Sequence, residues 1–351
     1  MKRLGLVLCM CGYMCSVAAQ DARATFTVGT ASAARGQKAY GALKVPAGSD
    51  AATEIGVVVI NGSRPGPALA IVSGSHGTEY ASIVAVEKLI DAVDATQLSG
   101  TLVLVPLVNV ASFEQMVPHV NPIDNKSMNR FYPGNATGTQ TERASYLITK
   151  EVVDKCDHLI DFHGGDLDES LRPYSYWTVT GNSTQDEASK QLVFDFGLDH
   201  IIIAADRPRD PGQSRYLENT ASTRGKPSFA AEAGYAGTVE ADDVAALVDG
   251  SLNVMRYLKM LAGPAKLVEQ PVWLEKIVNV GSDRNGIFYP VVKRGTFAEK
   301  GMKIGYVTDY LGRAVDEVRA PEAGVVTFIR AVPSLKKGDT IANIGVVKKG
   351  S

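Results

Sequence analysis

The sequence predicts an α/β protein, with a mixed or mainly parallel sheet flanked by helices and a small all-β domain at the C-terminus. From about residue 55 to residue 262, apolar runs rich in β-branched residues alternate with helical patterns, as is typical of α/β domains. Several runs lack polar alternation, among them Leu102–Val105, as expected for strands that are covered on both faces. Beyond Gly263 and Pro264 only short β-like runs separated by glycine follow.

The first nineteen residues are predicted to be a signal peptide. Lys2 and Arg3 form a charged start, Leu4–Cys15 is apolar, and Val17–Ala19 supplies small residues for cleavage before Gln20. The apolar run is too short to favour a permanent membrane anchor. We therefore expect an exported protein, periplasmic or secreted, without stable insertion in a membrane.

The remaining chain, residues 20–351, is long enough for one large domain and a smaller one. A formal net charge of -2 for the whole chain, without a cluster of Lys and Arg, excludes an electrostatic case for nucleic-acid binding. Three of the four cysteines lie in the predicted signal, so the mature chain keeps Cys156 and forms no internal disulfide. Those three cysteines leave a lipoprotein open, although none follows the small residues of a lipid-attachment site.

Strands and helices alternate along the large domain, which is predicted to span residues 20–264. The predicted strands are Gly56–Ile60, Ala68–Ser73, Thr101–Pro106, His158–Phe162, Tyr174–Val179, His200–Ala204 and Ser228–Ala231. The predicted helices are Glu79–Val93, Thr141–Val153, Gln185–Phe196 and Val239–Leu261. Ligands of such sheets bind at the carboxyl ends of strands, so the residues that follow each strand are the first candidates for a site.

The C-terminal domain, predicted at residues 265–351, contains a weak internal repeat. The segment Gly286–Gly305 is similar to Gly324–Gly345, since each combines apolar strand residues, a Lys-Gly turn and a second strand. Two such halves resemble the small barrel-sandwich of biotinyl and lipoyl carriers. Carriers of this kind display a modified lysine between two methionines, and the segment has no such motif. A capping or assembly role is therefore favoured over covalent carriage.

The run Gly74–Glu79 contains the first two candidate metal ligands, His76 and Glu79. They are three residues apart, so one tight turn can direct an imidazole and a carboxylate at the same ion. His163, in Asp161–Gly165, is the third candidate, and each of the two runs follows a predicted strand. Two imidazoles, one carboxylate and an open fourth position form the ligand set of a catalytic zinc site. The sequence thus predicts one Zn²⁺ per chain, with Asp161 or Asp166 orienting a ligand histidine.

Three further residues complete the predicted chemistry. Glu232 follows the strand that ends at Ala231, among small residues that leave space, and a carboxylate beside a metal can act as general base. A helix-capping or surface glutamate is the alternative. Asn129 and Arg130 lie in the polar loop Asn121–Gly134, where Arg130 could hold a substrate carboxylate through two parallel hydrogen bonds or be a surface charge.

Four motifs occur in a fixed order: Gly-x-His-Gly-x-Glu, Asp-x-x-x-x-Asn-Arg-x-x-Pro-Gly, Asp-x-His-Gly and Glu-x-Gly. In this order they resemble the succinylglutamate desuccinylase/aspartoacylase family, whose members are relatives of the zinc carboxypeptidases. The resemblance spans roughly residues 55–345 and implies a zinc-carboxypeptidase-like sheet and a zinc-dependent amide hydrolase. It implies these roles: zinc ligands His76, Glu79 and His163, general acid/base Glu232, and carboxylate binders Asn129 and Arg130.

The chain departs from the family's pattern at one position. Family members commonly carry another arginine several residues before the Asn-Arg pair, where it stabilises the developing oxyanion, but Gln115–Pro122 contains none. His119 lies close to where that arginine would fall and could replace it or be a plain loop histidine. Arg172, shortly after the His163 motif, is another candidate for a substrate contact.

We therefore expect an exported zinc-dependent deacylase of N-acyl amino acids or similar small carboxylated amides. A metallocarboxypeptidase acting on short or cell-wall peptides would use the same chemistry and differ only in its pocket. A binding protein that keeps the metal pocket without turnover is a third interpretation, supported only by the missing arginine.

Overall fold

The structure of the protein, a computed structural model, describes residues 23–268 and 270–350. The predicted signal peptide lies outside these residues. Within them, no helix is both long enough and apolar enough to cross a lipid bilayer.

Six α-helices and eighteen strands are assigned in the described residues. The helices are α1 Tyr80–Ala92, α2 Val110–Gln115, α3 Gln140–Ile148, α4 Ser183–Phe196, α5 Leu217–Ser222 and α6 Ala241–Tyr257. The first ten strands are β1 Thr25–Val28, β2 Ala31–Ala34, β3 Gln37–Val45, β4 Thr53–Asn61, β5 Arg64–Val72, β6 Ser99–Val105, β7 His158–His163, β8 Glu169–Thr178, β9 His200–Ala204 and β10 Ser228–Tyr235. The C-terminal strands are β11 Val272–Gly281, β12 Gly286–Pro290, β13 Phe297–Ala298, β14 Lys303–Thr308, β15 Ala314–Arg319, β16 Gly324–Arg330, β17 Ser334–Leu335 and β18 Thr340–Val347.

A twelve-stranded mixed sheet forms the centre of the molecule, in the order β13-β16-β18-β11-β9-β8-β10-β7-β5-β6-β4-β3. The strands β6, β5, β7 and β10 are parallel to one another, whereas β4 runs antiparallel to β6 and β8 runs antiparallel to β10. Three consecutive parallel strands, β5, β7 and β10, therefore direct their carboxyl ends to one edge of the sheet. The predicted mixed α/β fold is confirmed.

Helices cover both faces of this sheet. Along β5, Leu69 and Ile71 pack into a core with α1, α4 and α6. Ala70 and Val72 pack into a second core with α3, α5 and the β1–β2 hairpin. Because both faces of the strand are buried, it has no polar alternation, as the sequence predicted for such strands.

The predicted strands and helices of the large domain are all present, with differences at their ends. The predicted helix Thr141–Val153 is an α-helix that continues as a π-helix over Thr149–Val153. Its start is fixed by a capping box, in which the Thr139 backbone N–H donates to Glu142 Oε2 at 2.9 Å. Strands β1–β3 and the short helices α2 and α5 have no counterpart in the sequence prediction. Strands β1 and β2 and the two helices are four to six residues long, and the nine-residue β3 is an edge strand with few buried residues.

The C-terminal residues form the predicted all-β region. Each half of the internal repeat has the same series of a strand, a two-residue strand and a strand: β12, β13 and β14 in the first, and β16, β17 and β18 in the second. The region is joined to the large sheet, since β11 pairs with β9 and β16 pairs with β8. One wall of the C-terminal region is therefore continuous with the sheet that carries the candidate site.

Candidate active site and metal cluster

The sequence-predicted metal ligands and the predicted general base lie together at the edge where β5, β7 and β10 end. His76 and Glu79 occupy the loop between β5 and α1, and His163 is the last residue of β7. Glu232 is the direct neighbour of His163 in the parallel pairing of β10 with β7. The juxtaposition of His163 and Glu232 therefore follows from strand register, whereas the loop after β5 places His76 and Glu79 beside them.

His76, Glu79 and His163 form a compact cluster of donor atoms. Glu79 lies between the two imidazoles, with Oε1 2.6 Å from His76 Nδ1 and Oε2 3.0 Å from His163 Nδ1. One donor atom from each of the three lies within 4.8 Å of the others. Two imidazoles and a carboxylate that converge in this way fit a catalytic zinc site, which takes three protein ligands.

The electrostatics of the cluster suit a cation. Burial opposes ionisation of Glu79, but the two neighbouring histidines lower the pKa of its carboxyl to about 2. Burial also opposes charge on His163, yet the carboxylates of Asp161 and Glu79 raise its pKa well above the usual value. The carboxylates of Glu79 and Asp161 thus place negative charge beside the imidazole nitrogens of the cluster.

The candidate ligand His163 is oriented by polar groups that contact its Nε2 atom. His163 Nε2 lies 3.3 Å from Asp161 Oδ2 and 3.0 Å from Asn129 Nδ2. Asp161 is fully buried, in the position predicted for a carboxylate that orients a ligand histidine. Asn129 is buried too, and its Oδ1 accepts a hydrogen bond from the Leu217 backbone N–H. Asp166, the other residue predicted for this role, contacts Thr78 and His119 instead.

A cavity of about 260 Å³ opens onto this cluster. Its lining includes the predicted residues His76, Glu79, His119, Asn129, Arg130, His163 and Glu232. The side-chain carboxyl of Glu232 forms no hydrogen bond within the described part of the chain. Burial raises the pKa of its carboxyl well above the usual value, and the carboxylates of Glu79 and Glu169 add to that effect. A carboxyl group with a raised pKa, free to face the cavity, suits proton transfer.

Close backbone contact explains why glycines flank Glu232 and His163. A Cβ atom on Gly234 would lie 2.2 Å from the backbone N of Gly165, and one on Gly165 would lie 2.6 Å from the carbonyl C of Gly234. The β10–β8 pairing is also irregular between Glu232 and Gly234. The two glycines therefore allow the segments after β7 and within β10 to cross beside the site.

We expect Gly234→Ala to lower the free energy of unfolding by about 1–3 kcal/mol, because the added methyl group meets backbone atoms that must move. Activity should fall as well, since Glu232 and His163 would shift relative to one another. Gly56→Ala is the matched control, because no atom lies within 4 Å of a Cβ built there. Thermal unfolding of both variants measures the effect, and equal stabilities would contradict it.

His119 lies at the cavity but is enclosed by carboxylates. Its Nε2 is 2.9 Å from Asp168 Oδ1, and its Nδ1 is 3.1 Å from Asp166 Oδ2. Burial opposes protonation, but these carboxylates and Glu169 raise the pKa of the imidazole to about 9. Both ring nitrogens are thus engaged, and neither is directed at a substrate oxygen as a free donor.

Arg172 is not brought to the cavity. Its Nη2 pairs with Asp199 at 2.6 Å, away from the cluster. Its neighbour Leu171 does line the cavity, and successive residues of a strand face opposite sides of the sheet. Strand alternation thus directs the Arg172 side chain away from the cavity that the other predicted residues line.

Arg130 is exposed at the rim of the cavity, with its guanidinium carbon 4.9 Å from the centre of the Tyr216 ring. Arg207, which also lines the cavity, is a residue that the sequence analysis missed. Arg207 lies 4.0 Å from the centre of the Tyr216 ring, and its Nε is 3.0 Å from Glu218 Oε1. The rule of strand ends could not find Arg207, because β9 runs opposite to β7 and Arg207 lies in the loop that follows it. The turn-rich composition of residues 208–212 was the only available signal.

The C-terminal region also contributes to the cavity. Phe328 of β16 and Asn343 of β18 belong to its lining, as do Tyr174 and Tyr176 of β8. Phe328 reaches the site because it pairs with Leu171 of β8. The C-terminal region therefore forms part of the wall of the candidate site.

Comparison with known proteins gives a consistent result. The model of the succinylglutamate desuccinylase/aspartoacylase catalytic domain matches residues 65–258. The chain is similar to N-alpha-acetyl-L-2,4-diaminobutyric acid deacetylase of Halomonas elongata, at 26% identity over 318 residues that cover 88% of this chain and 91% of the relative.

Solved structures with the same fold extend over nearly the whole chain. A succinylglutamate desuccinylase from Silicibacter sp. TM1040 has a TM-score of 0.79 and 23% identity, and the match covers 89% of this chain and 95% of that one. The product-bound ectoine utilization protein EutE of Ruegeria pomeroyi has a TM-score of 0.79 and 25% identity, with coverage of 88% and 95%. Both matches extend beyond the catalytic-domain model, so they take in part of the C-terminal β region.

Proposed function

Because the chain belongs to the succinylglutamate desuccinylase/aspartoacylase family, we propose that it is a zinc-dependent deacylase of N-acyl amino acids or similar small carboxylated amides. The observation that carries this proposal is the cluster of His76, Glu79 and His163 opposite Glu232 in one cavity. The similarity to a deacetylase of an N-acetyl amino acid supports the same reaction.

Each residue of the cluster has a defined task in this reaction. Zinc, held by His76, Glu79 and His163, would supply a Lewis acid that polarises the amide carbonyl and acidifies water toward a pKa of roughly 7. Glu232 takes the proton from the attacking water and returns it to the nitrogen of the leaving amine. Asp161 and Asn129 keep the His163 ring in its orientation.

Substrate positioning is assigned to the loop that carries Asn129 and Arg130. Arg130 is exposed at the rim and has no carboxylate partner within the described residues, so its guanidinium can bind the carboxylate of a substrate. Asn129, beside it, is a second candidate for this contact. His119 lines the same cavity, but Asp166 and Asp168 engage both of its ring nitrogens, so it is not a free donor in place of the missing arginine.

The size of the cavity favours a small substrate. The cavity volume of about 260 Å³ is just below the usual range for ligand pockets, and Phe328 and Asn343 form part of its wall. We propose that the C-terminal region, as a barrel-sandwich, narrows the entrance and disfavours long peptides. The N-terminal pattern supports export to the periplasm or secretion as part of this proposal.

The proposal is tested by amine release from a panel of N-acetyl and N-succinyl amino acids, dipeptides and muropeptides. The panel includes N-acetyl-L-2,4-diaminobutyrate, because the Halomonas relative is named for its deacetylation. We expect zinc-dependent release from an N-acyl amino acid that stops when a chelator is added. Preferred cleavage of dipeptides or muropeptides would assign a carboxypeptidase instead, and bound zinc without release from any amide would favour a binding protein.

A further inference from the structure

Arg207 and Glu218 form an ion pair in the wall of the cavity that the proposed reaction does not use. Arg207 Nε lies 3.0 Å from Glu218 Oε1, and both residues line the cavity. The side chain of Glu218, in α5, is 1% exposed, whereas that of Arg207 is 16% exposed. The carboxylate is therefore enclosed by protein, and part of the guanidinium is accessible from the cavity.

Two aromatic rings hold the Arg207 guanidinium without using its hydrogen-bond donors. Its guanidinium carbon is 4.0 Å from the centre of the Tyr216 ring and 5.2 Å from the centre of the Tyr176 ring. Contacts of a cation with a ring face are electrostatic and require no hydrogen bond. Within the described residues the guanidinium makes no contact with hydrogen-bond geometry, even to Glu218. Its N–H groups are therefore free to donate to a ligand in the cavity.

The pair lies where the side chain of an amino-acid substrate would be placed. Arg130, the proposed binder of the substrate carboxylate, has its guanidinium carbon 4.9 Å from the centre of the same Tyr216 ring. The guanidinium groups of Arg130 and Arg207 thus lie beside one ring. The α-carbon of an N-acyl amino acid carries both the carboxylate and the side chain. A carboxylate bound at Arg130 therefore brings the substrate side chain close to Arg207.

The positive charge of Arg207 is already balanced by Glu218. Burial raises the pKa of the Glu218 carboxyl, and Arg207 opposes that rise. A protonated Glu218 would leave the mostly buried guanidinium without a counter-charge, so the contact of 3.0 Å favours the ionised pair. A second substrate carboxylate would have to share this guanidinium with Glu218, which leaves one negative charge unbalanced away from water. A neutral acceptor can use the free N–H groups without that cost.

We propose that the Arg207–Glu218 pair selects substrates whose side chain ends in a neutral hydrogen-bond acceptor, such as an amide, and disfavours a second carboxylate. Arg207 donates to the acceptor, and Glu218 determines the charge that this part of the cavity tolerates. The inference rests on the proposed deacylase function and specifies its substrate class. It predicts that N-acetyl-L-glutamine is cleaved in preference to N-acetyl-L-glutamate, which has nearly the same shape.

The test compares kcat/KM for these two substrates in the zinc-loaded protein. We expect the wild-type chain to favour the glutamine substrate by about 10-fold or more, because an unbalanced buried charge is costly. Glu218→Gln keeps the shape of the side chain and frees the charge of Arg207, so it should shift the ratio toward glutamate by about 10-fold or more. Arg207→Gln should raise KM for the glutamine substrate and leave glutamate disfavoured. Arg209→Gln is the matched control and should keep the wild-type ratio, because Arg209 is exposed and does not line this cavity.

A wild-type chain that cleaves N-acetyl-L-glutamate as well as or better than N-acetyl-L-glutamine would overturn the inference, as would release only from N-acyl amino acids with apolar side chains. An unchanged ratio in Glu218→Gln, with thermal unfolding showing that the variant is folded, would overturn it too. The wild-type ratio is decisive by itself if this variant is unstable. Failure of the proposed function is distinguishable, because the wild type would then release no amine from any N-acyl amino acid of the panel.

Discussion

Glu232→Gln should lower kcat by about 10²- to 10⁴-fold, the range by which a positioned general acid/base accelerates proton transfer. The amide has nearly the shape of the carboxylate but cannot accept the proton of the attacking water. The side chain of Glu232 forms no hydrogen bond within the described residues, so the substitution removes no hydrogen bond that holds the fold. Steady-state rates with the best substrate of the panel, at saturating zinc, measure the loss.

Two further measurements separate this role from a structural one. Zinc affinity and the thermal midpoint of Glu232→Gln should match those of the wild type, because Glu232 is not among the three candidate ligands and the two side chains have nearly the same shape. Glu87→Gln, on the exposed face of α1, is the matched control and should keep full activity. A Glu232→Gln enzyme with wild-type kcat would show that another group carries the proton.

The cluster of candidate metal ligands was predictable, because the position of each ligand is set by the sequence immediately around it. His76 and Glu79 share one turn, and His163 ends a strand whose apolar pattern is unambiguous. Parallel strands then bring these ends to one edge, and the register of β7 with β10 adds Glu232. Each of these steps follows from periodicity or from a general property of parallel sheets.

The remaining walls of the cavity depend on pairings that no local pattern encodes. Phe328 reaches the site only because β16 joins β8, a pairing between residues far apart in the sequence. Arg207 depends on the path of a loop that returns from the opposite edge of the sheet. Arg172 is the converse case. It is near the His163 motif in sequence, but its side chain lies on the other face of the strand from Leu171, which lines the cavity. Proximity along the chain does not determine which face a strand residue occupies.

The internal repeat shows a similar limit. Its two halves, Gly286–Gly305 and Gly324–Gly345, could be recognised in the sequence, and each contains the expected series of strands. The sequence did not indicate that β11 would extend the large sheet beside β9. The junction forms because each part has an edge strand with unpaired backbone N–H and C=O groups. Which strands are edge strands is determined by the folded sheets and not by the local sequence. Through this junction the C-terminal region forms part of the wall of the candidate site.

His76→Ala should remove one zinc ion per chain and reduce hydrolysis to the background rate. His76 supplies one of three ligands, and loss of even an outer partner of a ligand typically costs about 10- to 100-fold in affinity or activity. Its ring is only partly buried and contacts Glu79 and Ser127, so the fold should tolerate the change. Zinc content after dialysis and the rate of amine release measure the two effects.

Thermal unfolding provides a readout of the same change that does not depend on turnover. A ligand that binds only the folded state at 100 times its Kd stabilises that state by about 2.7 kcal/mol. Zinc should therefore raise the Tm of the wild-type chain and raise that of His76→Ala by less. His200→Gln is the matched control and should respond like the wild type, because His200 contacts Asp199 and is not part of the cluster. Equal zinc-induced shifts in all three proteins would mean that His76 is not a ligand. Since Glu79 lies between His76 and His163, the loss of one imidazole also removes a compensating partner of a buried carboxylate, which links metal affinity to the stability of the site.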